Sequence, residues 1–263
     1  MHLRTPREVR RFTLRLGKFR DPEYAVGQNL PVPDDQTLGF EPFAHDYETH
    51  AAHSAHNALY DRPATLDLCG DIRDLRVFDA GCGPGLFAEE LVQRGAREVV
   101  GVDASPTMVE LARDRVKEHA TFRVHDLQQP LEWLEPASFD LAVMALVIHH
   151  LDDRVAALRA LHRILRPDGA LVVSTHHPTS DWMHHGGSYF EVSKIEETWS
   201  RGWNVHYWRM PLTHIVAEFA EAGFVIERLV EPRPVPEMAE QYPDDDAELQ
   251  TTPAFIAFRL VKR

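Results

Sequence analysis

The chain has 263 residues, of which 44% are hydrophobic and 26% charged, and carries a formal net charge of −13. That length buries a full core, and the acidic balance argues against a partner held by phosphate contacts, because nucleic-acid binders neutralise the backbone with a basic face. No apolar run approaches the ~20 residues needed to cross a bilayer, the basic N-terminus lacks the apolar stretch of a signal peptide, and only Cys69 and Cys82 are present. The expectation is therefore a cytoplasmic protein without a disulfide framework, a monomer or homodimer whose partner is a small molecule, with no nucleic acid and no membrane.

In chain order, Arg4, Arg7, Arg10, Arg11, Arg15, Lys18 and Arg20 face the single acid Glu8 and read as a solvated arm or a strut packed on the acidic body. Residues 21–44 read as extended and Pro-rich, and 45–68 as helical with a break at Pro63. Residues 1–70 thus form an N-terminal arm and helical cap. From about residue 75 short apolar strands alternate with helical stretches, the pattern of a parallel sheet covered on both faces. Strands are expected at 76–79, 98–103, 121–125, 139–147 and 170–175, with helices at 86–94, 106–119 and 153–165. The fourth strand is the most apolar stretch, as a central strand should be, and Arg166-Pro167-Asp168-Gly169 is a strong helix stop.

After the fifth strand the pattern fails. Residues 176–210 gather Trp182, Tyr189, Phe190, Trp199, Trp203, Tyr207 and Trp208 in an irregular segment around Gly186-Gly187, too long for a plain connection. A helix at 212–222, a strand at 224–229, a Pro- and acid-rich loop at 231–252 and a last strand at 254–261 complete the chain. The last two strands, joined without a crossover helix, should pair antiparallel. The fold class is α/β: a Rossmann-like, seven-stranded, mostly parallel sheet with an antiparallel last strand, spanning 71–263, with an aromatic insertion at 176–210.

The most informative stretch is Asp79-Ala80-Gly81-Cys82-Gly83-Pro84-Gly85, where a strand ends in an acid and opens into glycines at alternate positions. Such a turn lets the backbone approach a ligand and adopt positive φ, ahead of a helix N-terminus. The dinucleotide fingerprint G-x-G-x-x-G is not met, since Leu86 stands where its last glycine belongs. Eighteen residues after Gly85, Asp103 ends another strand, where a carboxylate can accept both hydroxyls of a ribose. Cys82 reads as a small side chain in a tight turn.

With these motifs the chain, from about Tyr47 onward, resembles the class I S-adenosylmethionine-dependent methyltransferases. The resemblance implies S-adenosyl-L-methionine as cofactor, S-adenosyl-L-homocysteine as product, and a set of binding residues. Asp79, Gly81, Cys82, Gly83 and Gly85 match the first motif, whose backbone lies against the methionine part. Asp103 matches the ribose-binding acid, Ser105 to Met108 the segment from which a side chain covers one face of the adenine, with Ala104 also in the cofactor-binding set, Asp126 and Leu127 the pair at the adenine edge, and Ala145 the fourth-strand end that meets the amino group. Tyr60 stands where relatives close the cofactor site. The sequence around Pro167 and the antiparallel sheet ending also agree with the family.

Methyl transfer is an in-line displacement, so the protein has to hold an acceptor opposite the sulfonium and exclude water. A hydroxyl, phenol or acidic carbon also needs a base, for which histidine suits near-neutral pH. His150 and His149, at the end of the central strand, and His177, at the end of the fifth, are the candidate bases. Tyr47, His176, Trp182, Tyr189 and Trp203 are the candidate acceptor-binding residues, the insertion acting as a cover. His176, His177, His184 and His185 lack a fixed ligand spacing with Cys or carboxylates, so they read as exposed histidines and no metal is expected. The expected function is methylation at oxygen or nitrogen, less readily carbon, of a metabolite in specialised metabolism. The alternatives are a peptide or protein carboxylate methyltransferase and a non-catalytic cofactor-binding subunit.

Overall fold

The computed structural model describes residues 39–199 and 201–263. The basic arm and most of the Pro-rich stretch before residue 44 lie outside the described residues. Helix α1 (Ala44–His53), a π-helical turn (Asn57–Asp61) and α2 (Arg62–Cys69) precede the sheet. The strands and helices then alternate: β1 (Arg76–Ala80), α3 (Leu86–Gln93), β2 (Glu98–Asp103), α4 (Pro106–Val116), β3 (Ala120–Val124), β4 (Phe139–Ala145), α5 (Arg154–Ile164) and β5 (Leu165–His176). Beyond them come α6 (Pro178–His185), β6 (Ser193–Thr198), β7 (Asn204–Arg209), α7 (Leu212–Glu221), β8 (Phe224–Val230), α8 (Pro236–Gln241), α9 (Pro243–Leu249) and β9 (Phe255–Lys262).

Seven strands form one sheet in the order β3-β2-β1-β4-β5-β9-β8, and β9 runs antiparallel to both of its neighbours. The expected fold class is thereby met. Strands β1, β4 and β5 are buried at nearly every position because both sheet faces are covered. On one face Leu158, Leu161 and Ile164 of α5 pack with Ile215 and Phe219 of α7. On the other, Leu66 and Leu68 of α2, Leu91 of α3 and Val109 and Ala112 of α4 cover Val77, Val99, Leu141 and Val172. The register sets Asp79 beside both Gly101 and Val143, so β1, β2 and β4 end level with one another. Their carboxyl ends form the crevice in which open α/β sheets bind ligands.

Several expected boundaries move. The helical break in the cap falls at Ser54, whose backbone is extended, while Pro63 sits in the first turn of α2, where its missing N–H costs nothing. The 3-10 turn Lys117–His119 finishes what the sequence suggests as the end of α4. Leu165 pairs with Phe139 and pairing resumes at Ala170 with Leu141, so the Pro-Asp-Gly stop is a bulge inside β5 instead of a separate turn.

The irregular segment expected at 176–210 is instead a short helix, α6, and the hairpin β6–β7. In β7 the alternation Val205, Tyr207, Arg209 inward and Asn204, His206, Trp208 outward is the period of a strand with one buried face. The loop expected at 231–252 contains α8 and α9, each opened by a proline in its first turn.

Gly85 caps α3 at φ +83°, and a Cβ there would lie 2.9 Å from the Ala112 backbone of α4. Gly85→Ala is expected to destabilise the fold by about 1–3 kcal/mol, through left-handed strain and the lost close approach of the two helices. A urea midpoint shifted accordingly checks this; an unchanged midpoint contradicts it.

Candidate active site

At the carboxyl end of β1 the chain turns on glycine alone. Gly81 has φ +81°, and a Cβ on it would stand 2.4 Å from a methyl of Val147, while Gly83 has φ +50° with open space before it. The Gly81 and Cys82 amides both donate to the Val102 carbonyl, at 2.9 and 2.8 Å, tying the turn to β2. Asp103 completes the tie: its Oδ2 accepts from the Gly83 amide and its Oδ1 from the Ser105 amide, each at 2.9 Å. Burial raises its carboxyl above the ordinary value, against the backbone bonds that lower it. Each oxygen keeps a further lone pair for a ligand hydroxyl.

A cleft of about 440 Å³ opens over this turn, within the range of small-ligand sites. Of the expected cofactor residues, Gly81, Gly83, Asp103, Ala104, Met108, Asp126, Leu127 and Ala145 line it. Asp126 is oriented by the Gln128 amide at 2.9 Å. Glu41, which sequence reasoning missed, closes one rim by bonding the Ser105 and Thr107 hydroxyls at the start of α4. The Ser105 bond foremost holds its carboxyl below the usual range. Leu146 was also missed. It sits at φ +55°, a conformation that costs a non-glycine residue energy, where three adjoining cavities meet.

Beyond Leu146 the cleft adjoins a narrow aromatic chamber of about 40 Å³, bordered by Phe40, Tyr47, His149, His150, His176, Trp199 and Trp203. Trp203 stacks on Phe43 at 4.9 Å and donates its indole N–H to Asp46 Oδ2 at 3.1 Å, fixing the hairpin against α1. Burial pushes the Tyr47 hydroxyl up to about 12, so it stays protonated. His150 lines both cavities, and its Nδ1 lies 2.6 Å from the His206 carbonyl. A carbonyl only accepts, so Nδ1 carries the proton and Nε2 keeps its lone pair. Burial pushes the His150 imidazole down to about 3, leaving it neutral throughout the ordinary pH range. His149 is buried between Thr175 Oγ1, 3.0 Å from its Nδ1, and the His176 ring stacked at 4.1 Å, and burial drives it well down too.

The remaining expected site residues lie elsewhere. His177 caps α6, its Nδ1 accepting from the Thr179 amide and its Nε2 lying 3.1 Å from Glu231, so both ring nitrogens are engaged away from the cleft. Tyr60 faces the C-terminal strand and accepts from the Ala254 amide. The π-helical turn rotates it away and presents Asn57, Asp61 and Arg62 to the glycine turn instead. Gly85 packs helices, Asp79 is buried beneath the turn, and Cys82 is buried beside a smaller pocket with Arg62, its thiol pushed well up by burial. Trp182 is 41% exposed and packs on Tyr189 outside the chamber, while the Tyr189 hydroxyl accepts from the Leu212 amide.

Burial, and then the charge of Asp103, push the Asp79 carboxyl up to about 7 from 3.8. Its folded value lies above its unfolded one, so the folded state keeps a proton that the unfolded state sheds. Stability is lost as pH rises from about 4 through 7, and the penalty is complete above that. Asp79→Asn, neutral at all pH, is expected to melt at a higher temperature than the parent at pH 8, with the gain gone by pH 4. Melting curves of the unliganded chain check it; a pH-independent difference contradicts it.

Residues 78–173 match the family model described as "Methyltransferase domain". A curated relative from Neisseria meningitidis serogroup C, "Ubiquinone biosynthesis O-methyltransferase", is 35% identical over 117 residues, covering 42% of this chain and 48% of that one; the chain thus spans about half the length of this relative. A protein of the same name from Azorhizobium caulinodans is 29% identical over 231 residues, covering 85% and 82%. A crystal structure of a putative S-adenosylmethionine-dependent methyltransferase from Listeria monocytogenes superposes with a TM-score of 0.66 at 20% identity, covering 77% of this chain and 96% of that one. Residues 78–173 thus match a methyltransferase-domain model, and the chain has the fold of solved S-adenosylmethionine-dependent methyltransferases.

Proposed function

We propose that the protein transfers a methyl group from S-adenosylmethionine to an oxygen atom of a compact, planar small molecule. The observation that carries this reading is the junction of two cavities at His150: a cleft with a ribose-type carboxylate on one side, and an aromatic chamber on the other.

The residues around the cleft fit the cofactor. Asp103 offers two oriented acceptors for ribose hydroxyls, and Asp126 and Leu127 stand where an adenine edge would be read. An amino-acid head carries an ammonium and a carboxylate, and buried atoms of both signs surround the glycine turn: Asp61 Oδ2, Asp79 Oδ2 and Arg62 Nε have no hydrogen-bond partner among the described residues. Arg62 would hold the carboxylate and Asp61 the ammonium. When bound, the cofactor supplies an electrophilic methyl on a cationic sulfur.

The chain's own task is orientation and proton removal. Phe40, Tyr47 and Trp203 offer flat apolar walls that align a ring and exclude water. Nε2 of His150 accepts a hydrogen bond from an acceptor hydroxyl, aiming the oxygen, and takes its proton as the oxygen is alkylated. Such a proton becomes strongly acidic as the oxygen forms its third bond, to the methyl carbon, while the methyl–sulfur bond breaks, so the weak basicity of a buried imidazole suffices. An amine acceptor would need no such group, which favours oxygen, and the Neisseria and Azorhizobium relatives are named O-methyltransferases. The aromatic walls of the chamber support a flat small acceptor over a peptide, which would need an open groove.

Calorimetric titration with S-adenosylmethionine and S-adenosylhomocysteine tests the cofactor. Asp103→Asn is expected to weaken both by about 10–100-fold, since it removes a charged acceptor from the ribose; no binding to the parent chain at about millimolar ligand overturns the reading. His150→Gln is expected to lower kcat on a phenolic acceptor by about 100–10,000-fold with cofactor affinity unchanged. Because His150 stays neutral, the kcat profile should show no falling limb between pH 7 and pH 5 from this residue. Equal rates in the parent and the variant remove it from the chemistry.

A further inference from the structure

Away from the cofactor cleft, the end of α6 meets the hairpin β6–β7 through a cluster of ligating side chains. His184 and His185, in the last turn of α6, and Glu197, on β6, each offer a ligand atom, and the three atoms lie within 4.8 Å of one another. His184 Nε2 is 3.8 Å from Glu197 Oε2. The Tyr207 hydroxyl, on β7, stands 2.7 Å from His185 Nε2 and donates to Glu197 Oε1 at 3.1 Å. The three ligating residues are half-buried and Tyr207 is buried, against the expectation of exposed histidines.

We infer that His184, His185 and Glu197 form a Zn²⁺ site, with the Tyr207 hydroxyl oxygen at the fourth position, that clips α6 to the hairpin. Two neutral imidazole nitrogens and one carboxylate are a donor set that zinc takes in tetrahedral geometry. Bonds of about 2.0–2.2 Å set tetrahedral ligand atoms about 3.3–3.5 Å apart. The His184–Glu197 pair is already within half an ångström of that separation, and the third atom lies within 4.8 Å of both. Glu197 also has the outer support typical of ligating carboxylates, since Trp199 Nε1 donates to its Oε1 at 2.8 Å.

The clip ties together the segment that borders the chamber. The first residues of that segment, His176 and His177, lead into α6, and the His176 ring packs on Tyr207 at 4.8 Å and on His149 at 4.1 Å. Zinc therefore fixes α6, Tyr207 and the chamber wall as one unit. No regular spacing in the sequence announces it, because the adjacent histidines and the carboxylate come from different elements.

The test uses the full chain after treatment with a chelator, titrated with Zn²⁺ by calorimetry and with Co²⁺ by visible absorption. One equivalent of Zn²⁺ is expected to bind, with the intense bands of tetrahedral Co²⁺ and a raised melting temperature. Loss of an outer support costs about 10–100-fold in metal affinity, so loss of a ligand in Glu197→Gln or His184→Ala should cost at least about 100-fold. The paired change His45→Ala and His53→Ala, at exposed histidines of α1, should leave the affinity unchanged. Glu197→Gln keeps an oxygen for the Trp199 and Tyr207 bonds, so an unchanged melting temperature of its metal-free form separates ligand loss from unfolding. A weak octahedral Co²⁺ spectrum, a site that survives both ligand variants, or no heat with Zn²⁺ at about millimolar concentration overturns the proposal.

Discussion

The carboxylate of Asp103 organises the site. By taking the Gly83 amide on one oxygen and the Ser105 amide on the other, it holds the glycine turn of β1 and the start of α4 at a fixed separation. Ser105 in turn caps α4 by accepting from the Met108 amide and bonds Glu41 from the segment ahead of α1. One side chain thus fixes the floor, one wall and the rim of the cleft. Its charge adds to the burial that already raises the carboxyl of Asp79 next door. A buried acid pair of this kind stores instability that a hydroxyl-bearing, positively charged ligand relieves.

The sheet and the cleft over the glycine turn were legible because their signals are local. β2 is found at the expected residues, 98–103, and β1, β4, α3, α5 and α7 differ by a residue or two at their ends, since an apolar run between an acid and a glycine leaves little choice of backbone. The glycine turn and Asp103 announce themselves for the same reason: Gly81 and Gly83 sit at positive φ that other residues adopt at a cost. The insertion was not legible. Its hairpin is amphipathic only because Val205 and Tyr207 find a separate small core with Trp203, Phe43 and Tyr47, a contact across more than 150 residues that no periodicity records. Tyr60 misled for a related reason, since a π-helical turn changes the phase of the side chains and puts Arg62 where the tyrosine was expected.

Between the cleft and the insertion lies a file of imidazoles. His150, His149 and His176 stand ring against ring, and the outer two of their contacts are to the His206 carbonyl and the Phe255 ring. Histidine rings in contact make a wall that is flat like an aromatic one and still able to exchange hydrogen bonds. His176 ends β5, while His149 and His150 stand in the 3-10 turn Ile148–His150 just beyond β4, held rigidly to β5 by the contact between His149 Nδ1 and Thr175 Oγ1. That rigidity suits a group that must meet an acceptor at a set distance.

Phe40 borders both the cleft and the chamber, and the neighbouring Glu41 fastens that wall to the Ser105 and Thr107 hydroxyls. A ligand that settles in the cleft and steadies this wall also steadies the chamber behind it. The two occupancies are therefore thermodynamically linked, and whatever affinity one ligand gains from the presence of the other is returned in equal measure.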